Sequence, residues 1–160
     1  MADSLATGPR TLLRNWHKRR DRYSIAHWPA PEVPAHWLQV EPTDSRRESY
    51  AVALRPEAVL IGRITLRDEA ADGATLGIYL HPDYAHRGFG SEALNIFCDY
   101  VFDSLGLAQL RIDVAIDNAA ALGCYRKCGF TCLQHYERND HTYARLVRWK
   151  GAACIRLNYS

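Results

Sequence analysis

The sequence predicts an α/β (α+β) domain with a mixed central sheet of about six to seven strands and flanking helices. Three observations carry that expectation. Between Gly90 and Leu105 the apolar residues Leu94, Phe97, Val101, Phe102 and Leu105 fall at offsets of 0, 3, 7, 8 and 11, one face of a helix. Directly after Gly106, Leu110, Ile112, Val114 and Ile116 alternate with Arg111, Asp113, Ala115 and Asp117, a strand whose predecessor across the helix lies parallel to it in a βαβ unit. Before that unit the period-two pattern returns three times in succession, as in an antiparallel meander.

Composition agrees with one compact unit. The chain has 160 residues, 48% hydrophobic and 24% charged, and is expected to form a single domain over 1–160, with 1–9 a flexible N-terminus and 151–160 a C-terminal extension. At this length folding removes roughly 70% of the unfolded surface from water, so no disulfide or metal staple is needed. Twenty Lys plus Arg against eighteen Asp plus Glu leave a net charge of +2, which argues against a nucleic-acid partner held by charge. No run of eighteen apolar residues occurs and the start MADSLATGPR lacks the apolar stretch of a secretory signal, so a cytoplasmic protein without a membrane partner is expected. Cys98, Cys124, Cys128, Cys132 and Cys154 match neither a zinc knuckle nor a disulfide framework and read as reduced thiols, with no metal site; Cys124 and Cys128 share a helix face.

The elements follow in order. Arg10–Trp16 makes a first strand, Lys18–Trp28 a helix ended by Pro29, Pro31 and Pro34, and Ala35–Val40 a second short helix. The basic run HKRRDR lies on a solvated face of the first helix or meets an anionic partner. Ser49–Leu54 and Val59–Leu66 form a hairpin, and Gly62 within the second strand suits a bulge or a close backbone approach. The acidic stretch Asp68–Gly73 is a loop, and Thr75–Leu80 is the strand that His81, Pro82 and Asp83 end. Asn118 caps a helix running through Lys127, Gly129 stops it in the left-handed conformation, and Phe130–Glu137 and Tyr143–Trp149 close the chain through Asn139 and Asp140.

Two segments carry chemistry. In Ala85–Ala93, AHRGFGSEA, two glycines expose successive backbone amides where a helix begins, and the positive end of the helix dipole adds to an anion site that Arg87 and a protonated His86 can reinforce. Gly88, Gly90 and Ala93 also satisfy the dinucleotide pattern G-x-G-x-x-A, so a nicotinamide-dependent oxidoreductase is an alternative. Seven residues separate Leu80 from Gly88, however, and the chain closes in a hairpin rather than in more βα units. In Asn118–Phe130, NAAALGCYRKCGF, Asn118 and Tyr125 stand two helical turns apart, and both can face the end of the sheet, where a tyrosine can donate a proton.

The succession of strand, glycine loop, helix, parallel strand and N-x-x-A-x-x-x-Y-x-K-x-G-F resembles the GNAT superfamily of N-acetyltransferases over roughly Ser49–Trp149. The second pattern is met at Asn118, Ala121, Tyr125, Lys127, Gly129 and Phe130. The loop pattern Q/R-x-x-G-x-G/A is met at Gly88 and Gly90, with Ala85 at its first position, which keeps the backbone cradle and loses one side chain. The style is closest to the branch holding ribosomal-protein N-terminal and polyamine acetyltransferases.

The resemblance implies acetyl-CoA as co-substrate, its pyrophosphate on the amides from Arg87 through Gly88, Phe89 and Gly90 to Ser91, with His86 alongside. It also implies a splayed pair of parallel strands that admits the pantetheine arm against Ile78, Tyr79 and Leu80, with Asn118 and Tyr125 beside it. A primary amine, on a small molecule or a protein N-terminus, then attacks the thioester, and Tyr125 protonates the leaving thiolate. Where related enzymes carry a glutamate in a pattern like A-E-L-G, this chain reads Ala74, Thr75, Leu76, Gly77. A water chain, His81 or an acid such as Glu69 then serves as the base, or the chemistry uses amines already neutral. The acceptor site is expected between Lys18–Val40 and Tyr136–Tyr143, lined by Trp28, Trp37 and Tyr136, in a monomer or homodimer. A non-catalytic acetyl-CoA-binding sensor or interaction module is the other alternative.

Overall fold

The computed structural model describes residues 4–38, 47–70 and 73–151, with the backbone alone at 47 and 68–70. The alternating segments are β1 (Ser4–Thr7), β2 (Thr11–Asn15), β3 (Arg47–Leu54), β4 (Val59–Ala70), β5 (Gly73–Leu80), β6 (Gln109–Ala115), β7 (Thr131–Arg138) and β8 (His141–Trp149). They form one sheet in the order β1-β2-β3-β4-β5-β6-β8-β7, antiparallel everywhere except between β5 and β6. The helices are α1 (Lys18–Ala26), α2 (Phe89–Asp103) and α3 (Ala119–Lys127). The mixed sheet with one parallel pair is the expected class, with eight strands among the described residues rather than six or seven.

The additional strand is β1. Ser4–Thr7 falls in the segment expected to be flexible, yet it pairs with β2 and lays Leu5 and Ala6 against the core, so an open sheet edge and two apolar side chains fix it. The acidic stretch expected as a loop is likewise mostly strand. Asp68 pairs with Ala74 and Ala70 with Gly73, because ladder hydrogen bonds come from the backbone whatever the side chains. The expected helix at Ala35–Val40 reduces to one 3-10 turn, Ala35–Trp37; Gln39, Val40 and Cys154 lie outside the described residues.

The apolar stripe of α2 buries Leu94, Phe97, Cys98 and Val101 against Leu13, Val52, Ile64, Leu76, Leu110 and Ile112. Each such side chain contributes roughly 1.5–3 kcal/mol. Gly62 sits in a bulge, with Val52 opposite Gly62 and Ala53 opposite Leu60. A Cβ there would lie 2.6 Å from Leu80 Cδ2 and 2.8 Å from the Tyr79 carbonyl oxygen, so β4 and β5 approach as closely as they do only because this residue has no side chain.

The basic run at the start of α1 is not only a solvated face. Asp21 within it is 1% exposed and takes two 2.8 Å hydrogen bonds from the buried Arg14 of β2 and one from the His17 amide, which pins α1 to the sheet. Burial pushes the Asp21 carboxyl up, and the Arg14 and His17 hydrogen bonds with the Arg14 and Arg20 charges outweigh that and hold it below 3.8. No helix among the described residues is long and apolar enough to cross a membrane.

Candidate active site

The parallel pairing of β5 with β6 is short. Gly73, Ala74 and Thr75 lie opposite Gln109, Leu110 and Arg111, and beyond them the two strands part. Leu76–Leu80 remain bonded to β4 on their other side, so their β6-facing backbone groups border a gap. A cavity of about 570 Å³ opens there, with Thr75, Leu76, Gly77, Ile78 and Tyr79 on one wall and Asp113, Val114 and Ala115 on the other. Of the strand positions expected to meet a cofactor, Ile78 and Tyr79 line it and Leu80 does not.

The glycine loop leads into α2 through a left-handed turn. His86 and Gly88 both take left-handed conformations, at φ 60° and 82°, and Gly88 is the residue on which the helix starts. The amides of Phe89, Gly90 and Ser91 in the first turn have no carbonyl four residues back to bond, so they point outward with the helix dipole behind them. His86, Arg87 and Gly88 are exposed. The Phe89 ring is 6% exposed and belongs to the core, so only the main chain of that residue can meet a ligand. The Ser91 hydroxyl is engaged 3.0 Å from the Cys124 sulfur. Hydrogen bonds from Cys128 pull the Cys124 thiol down; burial opposes them, and Ser91 and Lys127 add to the lowering.

Arg10 escaped the sequence analysis. Its guanidinium bonds Glu92 at 3.1 Å and the Arg87 carbonyl at 3.2 Å and covers the Phe89 ring at 4.5 Å, bracing the loop from β2. No spacing signals it, because the contact spans about eighty residues of chain.

Asn118 and Tyr125 come together as the two-turn spacing requires, both lining the cavity. Asn118 caps α3 by accepting from the Ala121 amide at 3.2 Å. The Tyr125 ring meets Phe130 edge-on at 6.4 Å, while its hydroxyl bonds nothing among the described residues. Burial, then the neighbouring Cys124 and Cys128, push that phenol well above the ordinary value of 10, so it keeps its proton.

The far wall comes from the segments expected to hold an acceptor. Pro31, His36, Trp37 and Leu38 line it on one side and Tyr136, Arg138 and Tyr143 on the other. Trp28 does not line it directly but stacks on Tyr79 at 5.8 Å. His81 is also elsewhere. Its Nδ1 accepts the Asp83 amide at 3.0 Å, and its ring stands edge-on to Trp28, capping the turn that follows β5. The Glu69 side chain lies outside the described residues.

A histidine that the sequence did not single out faces the cavity instead. His36 Nε2 lies 2.8 Å from Asp117 Oδ2, and the Trp37 indole N–H donates to Asp117 Oδ1 at 2.8 Å. Burial nudges the Asp117 carboxyl up, and the His36 and Trp37 hydrogen bonds with the His36 charge more than offset this and hold it below 3.8. His36 and Asp117 are 81 positions apart, so no motif could have joined them.

A three-pair parallel contact opening into a gap, with a glycine-started helix and a capped tyrosine helix around it, is the arrangement of an acetyltransferase domain. Residues 9–131 match the acetyltransferase (GNAT) domain family, and the chain belongs to it. Over 57 residues it is 33% identical to the spermidine N(1)-acetyltransferase of Vibrio cholerae serotype O1, a stretch covering 36% of this chain and 33% of that protein. The match thus spans about a third of the curated relative's length.

Two solved structures share the fold over most of their length. A spermidine N-acetyltransferase chimera from Vibrio cholerae and hSSAT superposes with a TM-score of 0.71 at 22% identity, covering 88% of this chain and 96% of that one. The spermidine/spermine N-acetyltransferase from Vibrio cholerae in complex with manganese ions gives 0.71 at 21% identity, covering 88% and 93%. At these identities the likeness is one of fold. The single parallel pair, followed by antiparallel β8 and β7, removes the dinucleotide-fold alternative.

Proposed function

We propose that the protein transfers an acetyl group from acetyl-CoA to a primary amine by direct attack on the thioester. The observation that carries this is the parting of β5 from β6 after Thr75 and Arg111, which leaves a strand backbone free to bond an extended ligand inside the cavity. In this reading the pyrophosphate sits on the amides of Phe89, Gly90 and Ser91, with Arg87 and His86 at its edge and Arg10 bracing the turn. The pantetheine arm runs along Ile78 and Tyr79 toward Tyr125.

The amine lone pair attacks the carbonyl carbon, and charge moves onto the oxygen, where a β5 N–H stabilises it. One such donor is worth about 10²–10³-fold in rate. As the tetrahedral species collapses the C–S bond breaks, and the thiolate takes the Tyr125 proton. The products are an amide and free CoA: the attacking nitrogen, cationic once the C–N bond has formed, releases its extra proton to solvent, and the phenolate regains a proton from solvent.

The acceptor is a small-molecule amine or a protein N-terminus. Spermidine, the substrate in the relative's name, is one candidate of the first kind. Single-domain organisation over 1–160 and a cytoplasmic setting for the free thiols go with this reading, as does a monomer or homodimer that takes no nucleic acid. Thiol release from acetyl-CoA against polyamines, N-terminal peptides and aminoglycosides tests it. Acceptor-dependent turnover is expected with at least one class. Tight acetyl-CoA binding without turnover on any of them would favour the sensor.

A further inference from the structure

We propose that His36, held by Asp117, takes the proton that the acceptor ammonium must lose before it can attack. The proposal rests on the acetyl-transfer reading and supplies the base which that reading lacks. An α-amine with a pKa near 8, or an alkylamine near 10.4, arrives protonated at neutral pH, and an ammonium has no lone pair to offer.

The other groups facing the cavity are poorly placed to help. Thr75 stands where a glutamate would serve, and His81 spends its Nδ1 on the Asp83 amide and does not line the cavity. Asp113 is gripped by Arg145 through two bonds of 2.9 and 3.0 Å. Burial raises the phenols of Tyr79 and Tyr125, and burial together with the Asp113 charge raises Tyr136 to about 12, so all three hold their protons. His36 differs in geometry. Because the Asp117 carboxylate can only accept, the 2.8 Å contact assigns the proton to Nε2 and leaves the lone pair on Nδ1, which bonds nothing among the described residues.

The ring is also held still. It stacks on His141 with centroids 3.8 Å apart and planes 2° from parallel, and the backbone carbonyl of His36 accepts from the Tyr143 hydroxyl at 2.9 Å. Asp117 is followed directly by Asn118, so one turn of chain joins the base side of the cavity to the helix that carries Tyr125. The groups facing the ring are Asp117 from the β6–α3 connection and His141 and Tyr143 from β8, with Arg138 over the Tyr143 ring at 5.4 Å. When an ammonium N–H proton passes to Nδ1, the Asp117 carboxylate balances the imidazolium, the amine nitrogen gains its lone pair, and the proton leaves to solvent after transfer.

The test is kcat/KM against pH from 6 to about 10 for the parent, His36→Gln and Asp117→Asn, with spermidine and a short N-terminal peptide as acceptors. Thermal unfolding and acetyl-CoA binding are measured beside it. His36→Gln is expected to lose about 10²-fold or more near pH 7, with the deficit closing as rising pH frees the amine without help, and with acetyl-CoA binding unchanged. Asp117→Asn, which keeps the ring, is expected to show a smaller deficit that closes in the same way. Parallel pH profiles for parent and variants, or equal rates, would overturn the role of His36 and leave acetyl transfer standing. Absence of turnover by the parent would overturn both. Should His36→Gln fail to fold, Asp117→Asn carries the same comparison, and a deficit independent of pH overturns the proposal.

Discussion

Replacing Tyr125 by Phe separates chemistry from structure cleanly. The change removes one hydroxyl, which bonds nothing among the described residues, and leaves the ring packed edge-on to Phe130 at 6.4 Å. No partner is orphaned and no cavity opens in the core, so the stability change is expected within about 0.5 kcal/mol. At ~2–4 °C per kcal/mol for a domain of this size, the Tm moves by no more than about 2 °C. Acetyl-CoA binding stays near the parent value because the pyrophosphate turn and β5 are untouched.

Turnover behaves differently. Loss of the proton donor forces the thiolate out unprotonated or onto water, and a positioned general acid is worth about 10²–10⁴-fold. At 1.36 kcal/mol per decade that is roughly 3–5 kcal/mol of barrier against almost none of stability. The assay is thiol release at saturating acetyl-CoA, with calorimetric binding and thermal unfolding on the same preparation. A variant that keeps more than about a third of the parent kcat would refute Tyr125 as the donor. Equal losses in binding and turnover would make it a wall of the cofactor channel only.

Two further outcomes follow from the scaffold. Arg14→Met leaves Asp21 with the His17 amide and the exposed Arg20 guanidinium at 3.9 Å, and breaking a buried pair costs about 3–5 kcal/mol, here near the lower figure because those partners remain, so the Tm should fall by roughly 6–12 °C. The sign with pH discriminates further. In the parent the folded carboxyl titrates below 3.8, so its contribution is present above that value and fades as pH falls through the folded pKa. In Arg14→Met the carboxyl loses the Arg14 hydrogen bonds and charge, so it titrates higher than in the parent and acidification from neutrality should narrow the Tm gap; a constant gap would contradict the pairing. Gly62→Ala places a Cβ 2.8 Å from the Tyr79 carbonyl oxygen, and overpacking of this kind costs about 1–3 kcal/mol. Calorimetry should show weaker acetyl-CoA binding as β5 is displaced, and unchanged binding would mean that the strand accommodates it.

The glycine loop and the Asn118–Tyr125 helix were legible in the sequence because backbone requirements build them. A left-handed Gly88 before an amphipathic helix, and Asn118 two turns from Tyr125, leave marks at short range that periodicity and capping rules read directly. The meander and the βαβ unit were legible for the same reason, and the closing hairpin announced itself through Asn139 and Asp140, which turn at φ 51° and 64°. What escaped depends on pairing between distant segments. β1 has too few apolar residues to signal a strand and forms because β2 offers an edge; Asp21 looked like one charge in a basic run until Arg14 closed over it; and His36 meets Asp117 only once β6 and the Ala35–Trp37 turn are side by side.

That division has a functional counterpart. The half that would hold acetyl-CoA draws on main-chain amides and on strand edges fixed by the core, so a side-chain substitution can weaken it but cannot readily redirect it. The opposite wall is made of side chains from the turn after α1 and from the β7–β8 hairpin, tied down by Arg14 to Asp21, Trp28 to Tyr79 and Tyr143 to His36. Each tie holds one element in place without setting which amine fits between Leu38, Tyr136 and Arg138. Under the proposed acetyl transfer, changes at those three cavity-lining positions would exchange one acceptor for another while leaving β5 and Tyr125, the proposed thioester side, untouched.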